Sequence, residues 1–141
     1  MPRPKIKPIV KAVENVLSGI MLGGKQIPIG LGEAPECPPP YLIISSGTQG
    51  GYTGPWTDPD ADASDRIQIT AVGISDETSL GALDKAREQL TFANLVAEGI
   101  PDRKILSVNL NLSRGGFVEQ RGIPEPLFSN VDQYLIATTP G

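Results

Sequence analysis

The aspartates of the stretch DPDADASD have a residue type and a spacing that could bind a metal ion. An EF-hand calcium loop needs oxygen ligands at its positions one, three and five, glycine at six and glutamate at twelve. Asp58, Asp60 and Asp62 meet the first requirement. Ala63 stands at position six, however, and Ile69 at position twelve. We therefore interpret the run as a solvated acidic turn, and a small metal- or ligand-binding module that uses this acidic loop stays an alternative.

The chain has no histidine, which removes the commonest general base and the commonest metal ligand at neutral pH. A Ser-His-Asp or Cys-His arrangement is therefore impossible within one chain. The single cysteine, Cys37, lies between Glu36 and Pro38 with no basic neighbour to activate it. The glycine clusters GTQGG and LGGKQ lack the spacing of dinucleotide- and phosphate-binding loops. The sequence predicts no catalytic residue, no cofactor and no bound metal.

Two aromatic residues, Tyr52 and Trp56, precede the acidic run. Large aromatic side chains are enriched in buried contacts between chains. They can equally fold back onto their own domain, and the residues alone leave both readings open. The whole segment 47–65 is longer than most connections in a compact domain, and connections of that length often serve a function. We expect a protruding arm whose contact residues are Tyr52, Trp56, Asp58, Asp60 and Asp62.

Hydrophobic periodicity predicts two helices. The first runs from about Pro8 to Leu17, where apolar residues recur at three- and four-residue steps. The second begins at Asp76 and ends near Gly99. Its apolar stripe comprises Leu80, Leu83, Ala86, Leu90, Ala93 and Ala97.

Runs of β-branched and alternating residues predict four strands and a fifth, weaker one. The strands are expected at Tyr41–Ser46, Arg66–Ile74, Ile105–Ser113 and Val131–Thr138, with a weak edge strand at Lys25–Ile29.

Three local details accompany these elements. Fading alternation at Val72-Gly73 predicts a β-bulge. The glycines of Arg114–Gly116 predict a turn, after which Phe117–Gln120 would pair back as a short strand. Asp84 lies one helical turn from Arg87, so an ion pair between them is expected.

One face of the sheet is expected to be polar. In the third main strand, Val108, Leu110 and Leu112 alternate with Asn109 and Asn111, so the leucines should be buried and the asparagines exposed. Such a face needs water or a partner, and ordinary strand surface is the simpler interpretation. The contact residues expected on it are Arg66, Gln68, Asn109 and Asn111.

These elements predict a single α/β (α+β) domain over residues 1–141. Its sheet would be mixed and mainly antiparallel, with four to five strands and two helices on one face. A long loop or β-hairpin arm would leave the sheet at about residues 47–65.

The bulk composition sets limits on where the chain works. Its net charge is -4, and its few clustered basic residues do not form the concentrated positive surface that nucleic-acid binding requires. One cysteine permits no intramolecular disulfide. No apolar run approaches the roughly 20 residues that cross a bilayer, and no signal peptide is evident, so we expect a cytoplasmic protein without a membrane partner.

The stretches PPPYLIISSG and DRIQITAVGISDETSLGALDKAREQL, separated by a long Gly/Asp loop, resemble the tail terminator proteins of long-tailed phages. The resemblance covers about residues 38–90 and, more loosely, the first helix. The C-terminal third from about Arg114 does not match the pattern.

The resemblance implies a structural protein with no enzymatic activity and no cofactor. Copies of the chain would form a hexameric ring that caps the tail tube, ends its polymerisation and offers the surface to which the head docks. The partners would be further copies, the tail-tube protein and neck or connector proteins, while DNA would only pass through the lumen. The protein would be assembled in the host cytoplasm and reside in the virion tail or neck. Another neck or head-completion connector is the nearest alternative.

Overall fold

The structure, a computed structural model, describes residues 7–52, 63–101, 103–119 and 127–140. Side chains are described for these residues except 47–52, 63 and 116–119. The elements, in chain order, are α1 (Lys7–Leu17), β1 (Met21–Leu22), β2 (Lys25–Gln26), β3 (Ile29–Leu31), β4 (Tyr41–Tyr52), β5 (Ala63–Gly73), α2 (Asp76–Gln89), α3 (Phe92–Glu98), β6 (Arg103–Glu119) and β7 (Leu127–Pro140).

The main sheet has five strands in the order β3-β4-β5-β7-β6. Only β3 and β4 run parallel, and the other three pairings are antiparallel. The predicted α+β fold with a mixed, mainly antiparallel sheet is therefore confirmed. The weak strand expected at Lys25–Ile29 is divided differently: β2 pairs with β1 in a small hairpin, and β3 forms the edge of the main sheet.

The core lies between the helices and one face of the sheet. The stripe of α1 is buried as its spacing predicts, with Ile9, Val13 and Leu17 fully enclosed. These side chains join one cluster with Leu42, Ile44, Ile67, Ile69 and Ala71 of the two central strands and with residues of the other helices. The alternation of buried residues in β5 agrees with a strand that is covered on one side.

The long second helix predicted from the sequence is two helices in the structure. Ser75 caps α2, its side chain accepting a bond from the amide of Thr78 at 3.1 Å. Thr91 has an extended backbone and caps α3 by accepting from the amide of Asn94 at 3.2 Å, so the helix ends at Leu90 and restarts. The single-helix prediction was wrong because an apolar stripe continues in register across a cap. Leu83, Ala86 and Leu90 are buried, whereas Leu80, Ala93 and Ala97 are exposed.

The last third of the chain corrects the prediction of a turn at Arg114–Gly116. The strand β6 continues through that stretch to Glu119, with a register shift between Arg114 and Phe117. Gly115 serves close approach rather than a turn, because a Cβ there would collide with the side-chain oxygen of Asn130. The burial of Leu110 and Leu112 was also predicted wrongly, since the two are 45% and 43% exposed. The strand β6 lies at the sheet edge, and a register shift after Leu110 places Leu112 opposite Gln133, on the other face from Leu110.

Two further details differ around the central hairpin. The pairing of β5 is regular through Val72 and Gly73, so the bulge predicted there is absent. A register shift lies instead in β4, between Gly47 and Gly51, and pairing resumes to Tyr52, which lies opposite Ala63. The base of the expected arm is thus a β-hairpin extension of the sheet, and residues 53–62 lie outside the described residues. None of the described helices is long and apolar enough to cross a membrane.

Candidate functional site

The two faces of the five-stranded sheet differ in what covers them. The helix-covered face carries Ile67, Ile69 and Ala71 of β5, together with Asp132 and Tyr134 of β7. The opposite face, here called the open face, carries the residues between them in each strand. On β5 and β7 these are Arg66, Gln68, Thr70, Val131, Gln133 and Leu135, and each is half-buried.

Strand pairing places three of the four polar residues expected on the open face in neighbouring rows. Arg66 lies opposite Leu135, and Asn109 lies opposite the other side of the same leucine, so these residues share one row across the sheet. Gln68 lies opposite Gln133 in the next row.

Asn111 joins that second row by a side-chain contact. Its amide nitrogen donates to the Gln133 oxygen over 3.4 Å. Asn109 and Asn111 are exposed, whereas Arg66 and Gln68 are half-buried. The sequence prediction did not include Gln133, although this residue follows the same alternation as its neighbours. The prediction of a polar row therefore holds for β5 and for Gln133, whereas Val131, Leu135 and Leu112, which lies opposite Gln133, add apolar side chains to the open face.

One end of the open face is partly covered by the loop that follows β3. There Tyr41 and Val72 are 8% and 7% exposed, although they point away from the helices. A cavity of about 360 Å³ separates the loop from the strands. It is lined by Glu33, Ala34, Tyr41, Ile43, Thr70, Val72, Leu127 and Ser129. The rest of the open face, from Thr70 toward the arm, carries no such covering among the described residues.

The arm residues proposed for contact fall largely beyond what the structure describes. Trp56, Asp58, Asp60 and Asp62 lie outside the described residues, and for Tyr52 only the backbone is described. Their expected contacts with other chains remain predictions. The paired ends of β4 and β5 fix where the segment leaves the sheet, at the end of β5 that carries Arg66 rather than Val72.

The helix-covered face holds an ion pair between Arg87 and a buried carboxylate, whereas the sequence predicted a pair between Arg87 and Asp84. The guanidinium of Arg87 donates to both carboxylate oxygens of Asp132, at 2.6 and 2.8 Å. The Ser113 hydroxyl donates to the same carboxylate at 2.7 Å and accepts from Arg87 at 3.0 Å. Asp132 is fully buried, while the Arg87 side chain is 40% exposed. Asp84 is therefore not the hydrogen-bonding partner of Arg87.

A second polar cluster joins α2 to β5 and β7. The Ser79 hydroxyl donates to the carbonyl of Ala71 at 2.8 Å, which ties the first turn of the helix to the sheet. Asn130 donates from its amide nitrogen to Ser79 at 2.8 Å and to Asp76 at 3.1 Å. Both clusters are internally bonded, so they fix how α2 lies on the sheet rather than offer a site to a ligand.

Two buried polar atoms on this face have no hydrogen-bond partner among the described residues: the hydroxyl of Tyr134 and one carboxylate oxygen of Asp65. Burial raises the pKa of Tyr134 to about 12. Burial also raises the pKa of Asp65 above its ordinary value, and the Arg103 guanidinium opposes part of that rise. Arg103 itself is engaged by Thr138, whose hydroxyl lies 3.3 Å from its Nε.

The strand alternation around Asp132 could have located this buried carboxylate from the sequence. Asp132 is in phase with Tyr134 and Ile136, both of which are buried, so strand alternation alone places it on the core side. A charged residue at such a position requires a partner, and Arg87 on the facing helix supplies one. Within the described residues no group of three or more histidine, cysteine or acidic side chains could hold a metal ion.

No protein-family model and no curated protein matches this chain. Among solved structures, the chain is similar in fold to a chain of the virion of a native gene transfer agent particle. The similarity covers 92% of this chain and 84% of that one, with a TM-score of 0.56 and 14% sequence identity.

Proposed function

We propose that this chain is a structural protein of a phage-like virion and that it serves there as a tail terminator. The observation that carries the proposal is the likeness of fold to a chain of the gene transfer agent virion, which extends over 92% of this chain and 84% of that one. A likeness over nearly the whole of both chains concerns the domain itself rather than one shared motif. The resemblance of residues 38–90 to tail terminators supports the finer assignment.

The open face supports a role in assembly. The part of this face that the loop leaves uncovered combines the polar Arg66, Gln68 and Gln133 with the apolar Val131 and Leu135. All five side chains are half-buried. Protein–protein contacts that form after folding have about this mixture of polar and apolar surface. Polar groups that are already partly dehydrated by their neighbours can bind a partner's backbone at a modest further desolvation cost.

In the proposed role, copies of the chain close into a ring, for which we infer six members. The ring sits on the last layer of tail-tube subunits, prevents the addition of another layer, and offers its other side to the neck proteins and the head. The protein works by surface complementarity, without bond-making chemistry or a cofactor. DNA passes through the lumen, and the net charge of -4 disfavours its binding there.

Tube elongation tests the proposal. Purified chain is added to polymerising tail-tube protein encoded by the same genome, and tube lengths are measured by negative-stain electron microscopy. We expect elongation to stop, with extra density at one tube end. Unchanged tube lengths in the presence of folded chain would remove the terminator assignment.

The two alternative functions, a connector and a metal-binding module, predict different experimental results. A neck or head-completion connector would leave tube elongation unaffected and bind the portal-side proteins instead. A metal-binding module would respond to calcium, and Trp56, the only tryptophan, lies beside the acidic run and reports on it. We expect no change in tryptophan fluorescence up to millimolar calcium.

A further inference from the structure

The charged side chains that the structure describes on the uncovered part of the open face are all basic. They are Arg66, Lys104 and Arg114, which the strand register places opposite Leu135, Thr139 and Val131. Those three residues of β7 alternate with its buried residues, so their strand neighbours share the open face. Arg66 is half-buried, and the other two basic side chains are exposed. Glu33 lies at the far end of this face, which the loop covers. The uncovered part is therefore positive, although the chain has a net charge of -4.

The outward side of α2 is acidic. The residues that face the sheet are buried, and they are Ser79, Ala82, Leu83 and Ala86. Glu77, Asp84 and Glu88 recur at steps of seven and four residues, so they share the side of the helix that faces away from the sheet. All three are exposed, and together they are here called the α2 stripe. Leu80 lies beside the stripe, one turn from Glu77, and is 43% exposed.

The two basic residues of α2 leave this stripe negative. Arg87 bonds to Asp132 at 2.6 and 2.8 Å and so neutralises a carboxylate that lies beneath the helix. Lys85 lies 3.9 Å from Glu88 and offsets at most one of the three charges of the stripe. The α2 stripe of one copy is therefore complementary in charge to the open face of another.

The spacing of the charges on the two surfaces also agrees. Arg66 and Arg114 are two strands apart and four residues apart along the strands, so about 17 Å separates their Cα atoms. Glu77 and Glu88 are eleven residues apart on α2, which is also about 17 Å. Gln133 lies midway between the two arginines, one strand and one row from each. A helix laid diagonally across the open face can thus bring both end charges opposite an arginine.

Apolar side chains accompany the charges on both surfaces and give the contact a direction. Val131 lies opposite Arg114, and Leu112, which is 43% exposed, lies beside it on the same strand and face. With Glu77 opposite Arg114, the exposed Leu80 comes near these two apolar side chains. The reverse direction would bring it near Leu135 alone. An apolar centre with charged groups around it is the usual composition of a contact between chains.

We propose that the α2 stripe of one copy lies diagonally across the open face of the next copy. Its end charges, Glu77 and Glu88, then lie opposite Arg114 and Arg66, respectively. A contact between two open faces is disfavoured, because it would place basic side chains against basic side chains. The two surfaces lie on opposite sides of one sheet, so the contact is head-to-tail, and such contacts close into rings when the rotation permits. The inference rests on the proposed function and names the two surfaces that join its subunits.

Disulfide trapping at the centre of the contact tests it and leaves the charges at both ends in place. The variant Asp84→Cys/Gln133→Cys is made in a Cys37→Ser background, mixed with polymerising tail-tube protein of the same genome, oxidised, and analysed by non-reducing electrophoresis. Within one chain the sheet and the body of α2, about 10 Å across, lie between the two positions, whereas a disulfide spans roughly 7 Å between Cα atoms. Any disulfide between these positions must therefore join different copies. We expect a ladder of dimers, trimers and larger covalent species.

The two single-cysteine variants are controls, since each can form dimers at most. Gln89→Cys/Gln133→Cys is the matched control, because Gln89 follows Glu88 at about 100° around the helix and so lies off the α2 stripe. We expect no ladder from it, and circular dichroism confirms that all variants are folded. The absence of a ladder from folded Asp84→Cys/Gln133→Cys would overturn the inference. The effect of the wild type on tube elongation decides the proposed function separately.

Charge reversal provides an independent check. We expect Arg66→Glu or Glu88→Arg, each added to the Asp84→Cys/Gln133→Cys variant, to lower the yield of the ladder on the order of tenfold, because like charges then meet. The two changes combined should restore the yield. Lys11→Glu, on the exposed surface of α1, is the matched control and should leave the yield unchanged. Equal yields for all these variants would contradict the proposed pairing.

Discussion

Asp132 and Gln133 are neighbours in β7, yet they point to opposite faces of the sheet and meet opposite surroundings. Asp132 is fully buried and receives three hydrogen bonds, two from Arg87 and one from Ser113. Gln133 is half-buried, and a 3.4 Å contact with Asn111 is its described side-chain bond. The carboxylate of Asp132 thus helps to fix the fold on the helix-covered face, while Gln133 on the open face keeps polar groups that a partner could bind.

The comparison predicts that substitutions on the helix-covered face change the stability of the fold, whereas substitutions on the open face change assembly. The largest effect is expected for Arg87→Met, which leaves the carboxylate of Asp132 buried without its counter-charge. Breaking a buried pair in this way costs about 3–5 kcal/mol in the free energy of unfolding. Urea denaturation of the variant and the wild type measures it.

Lys85→Met is the matched control for that experiment. Lys85 is also on α2, but its ion pair with Glu88 spans 3.9 Å between two exposed side chains. Such pairs contribute about 0–1 kcal/mol. If Arg87→Met and Lys85→Met lost equal amounts of unfolding free energy, the pair of Arg87 with Asp132 would stabilise the fold no more than a surface pair does.

Asp65 makes the free energy of unfolding depend on pH. Because the folded-state pKa lies above the ordinary value of 3.8, the native protein holds this proton to higher pH than the unfolded chain. The resulting stabilisation is complete below 3.8 and is lost as pH rises through the folded-state pKa. The variant Asp65→Asn has no carboxyl group at this position and should not show that loss. The free energy of unfolding of the wild type, relative to that of the variant, should therefore fall as pH rises. The fall is at most about 1.4 kcal/mol per pH unit for one proton.

The measurement is the unfolding free energy of both proteins from pH 3 upward to neutrality, compared pairwise at each pH. Asp84→Asn, on the exposed side of α2, controls for the removal of one negative charge. A constant difference between wild type and Asp65→Asn across that range would contradict the proposed burial of this carboxylate.

Tyr134→Phe is expected to have a smaller effect and to act in the stabilising direction. The Tyr134 hydroxyl is buried without a partner among the described residues, so its removal avoids a desolvation cost of about 1 kcal/mol. In the wild type, the stability linked to this group is present below pH 10 and is lost as pH approaches 12. Spectrophotometric titration should show one tyrosine fewer ionising near pH 12 in the variant, and a loss of stability above 1 kcal/mol would indicate an unseen partner of the hydroxyl.

The smallest effect on stability is expected on the open face. Gln133→Arg places a longer polar side chain on a half-buried surface position, where substitutions usually change the free energy of unfolding by less than about 0.5 kcal/mol. Gln89→Arg, at an exposed position on α2, is the matched control with the same change of residue type. A large loss of stability in Gln133→Arg alone would mean that the chain covers its own open face.

Residues whose neighbours in sequence decide their environment were predicted well. The apolar stripe of α1 and the alternation of β5 each follow from a single periodicity, and both are buried as expected. The polar residues that β5 and β7 place on the open face follow from the same alternation. The break at Thr91 was not predicted, because a cap is a local hydrogen bond that leaves the apolar period intact.

Features that depend on contacts distant in sequence were predicted poorly. The pair of Arg87 with Asp132 spans 45 residues, and the nearer Asp84 was the only candidate visible along the helix. Gly115 looked like a turn residue, since nothing local indicates that Asn130 lies against it. The exposure of Leu110 and Leu112 results from the position of β6 at the sheet edge and from the register shift between the two residues, and neither is visible in the local alternation.

The most direct test of the account is the elongation of tail tubes in the presence of Gln133→Arg and of Gln89→Arg, with tube length measured by electron microscopy. Both variants should unfold at the same urea concentration as the wild type. The account predicts that Gln89→Arg ends elongation like the wild type, whereas Gln133→Arg allows tubes to keep growing. If folded Gln133→Arg still ends elongation as efficiently as the control, the open face is not the surface through which this chain acts.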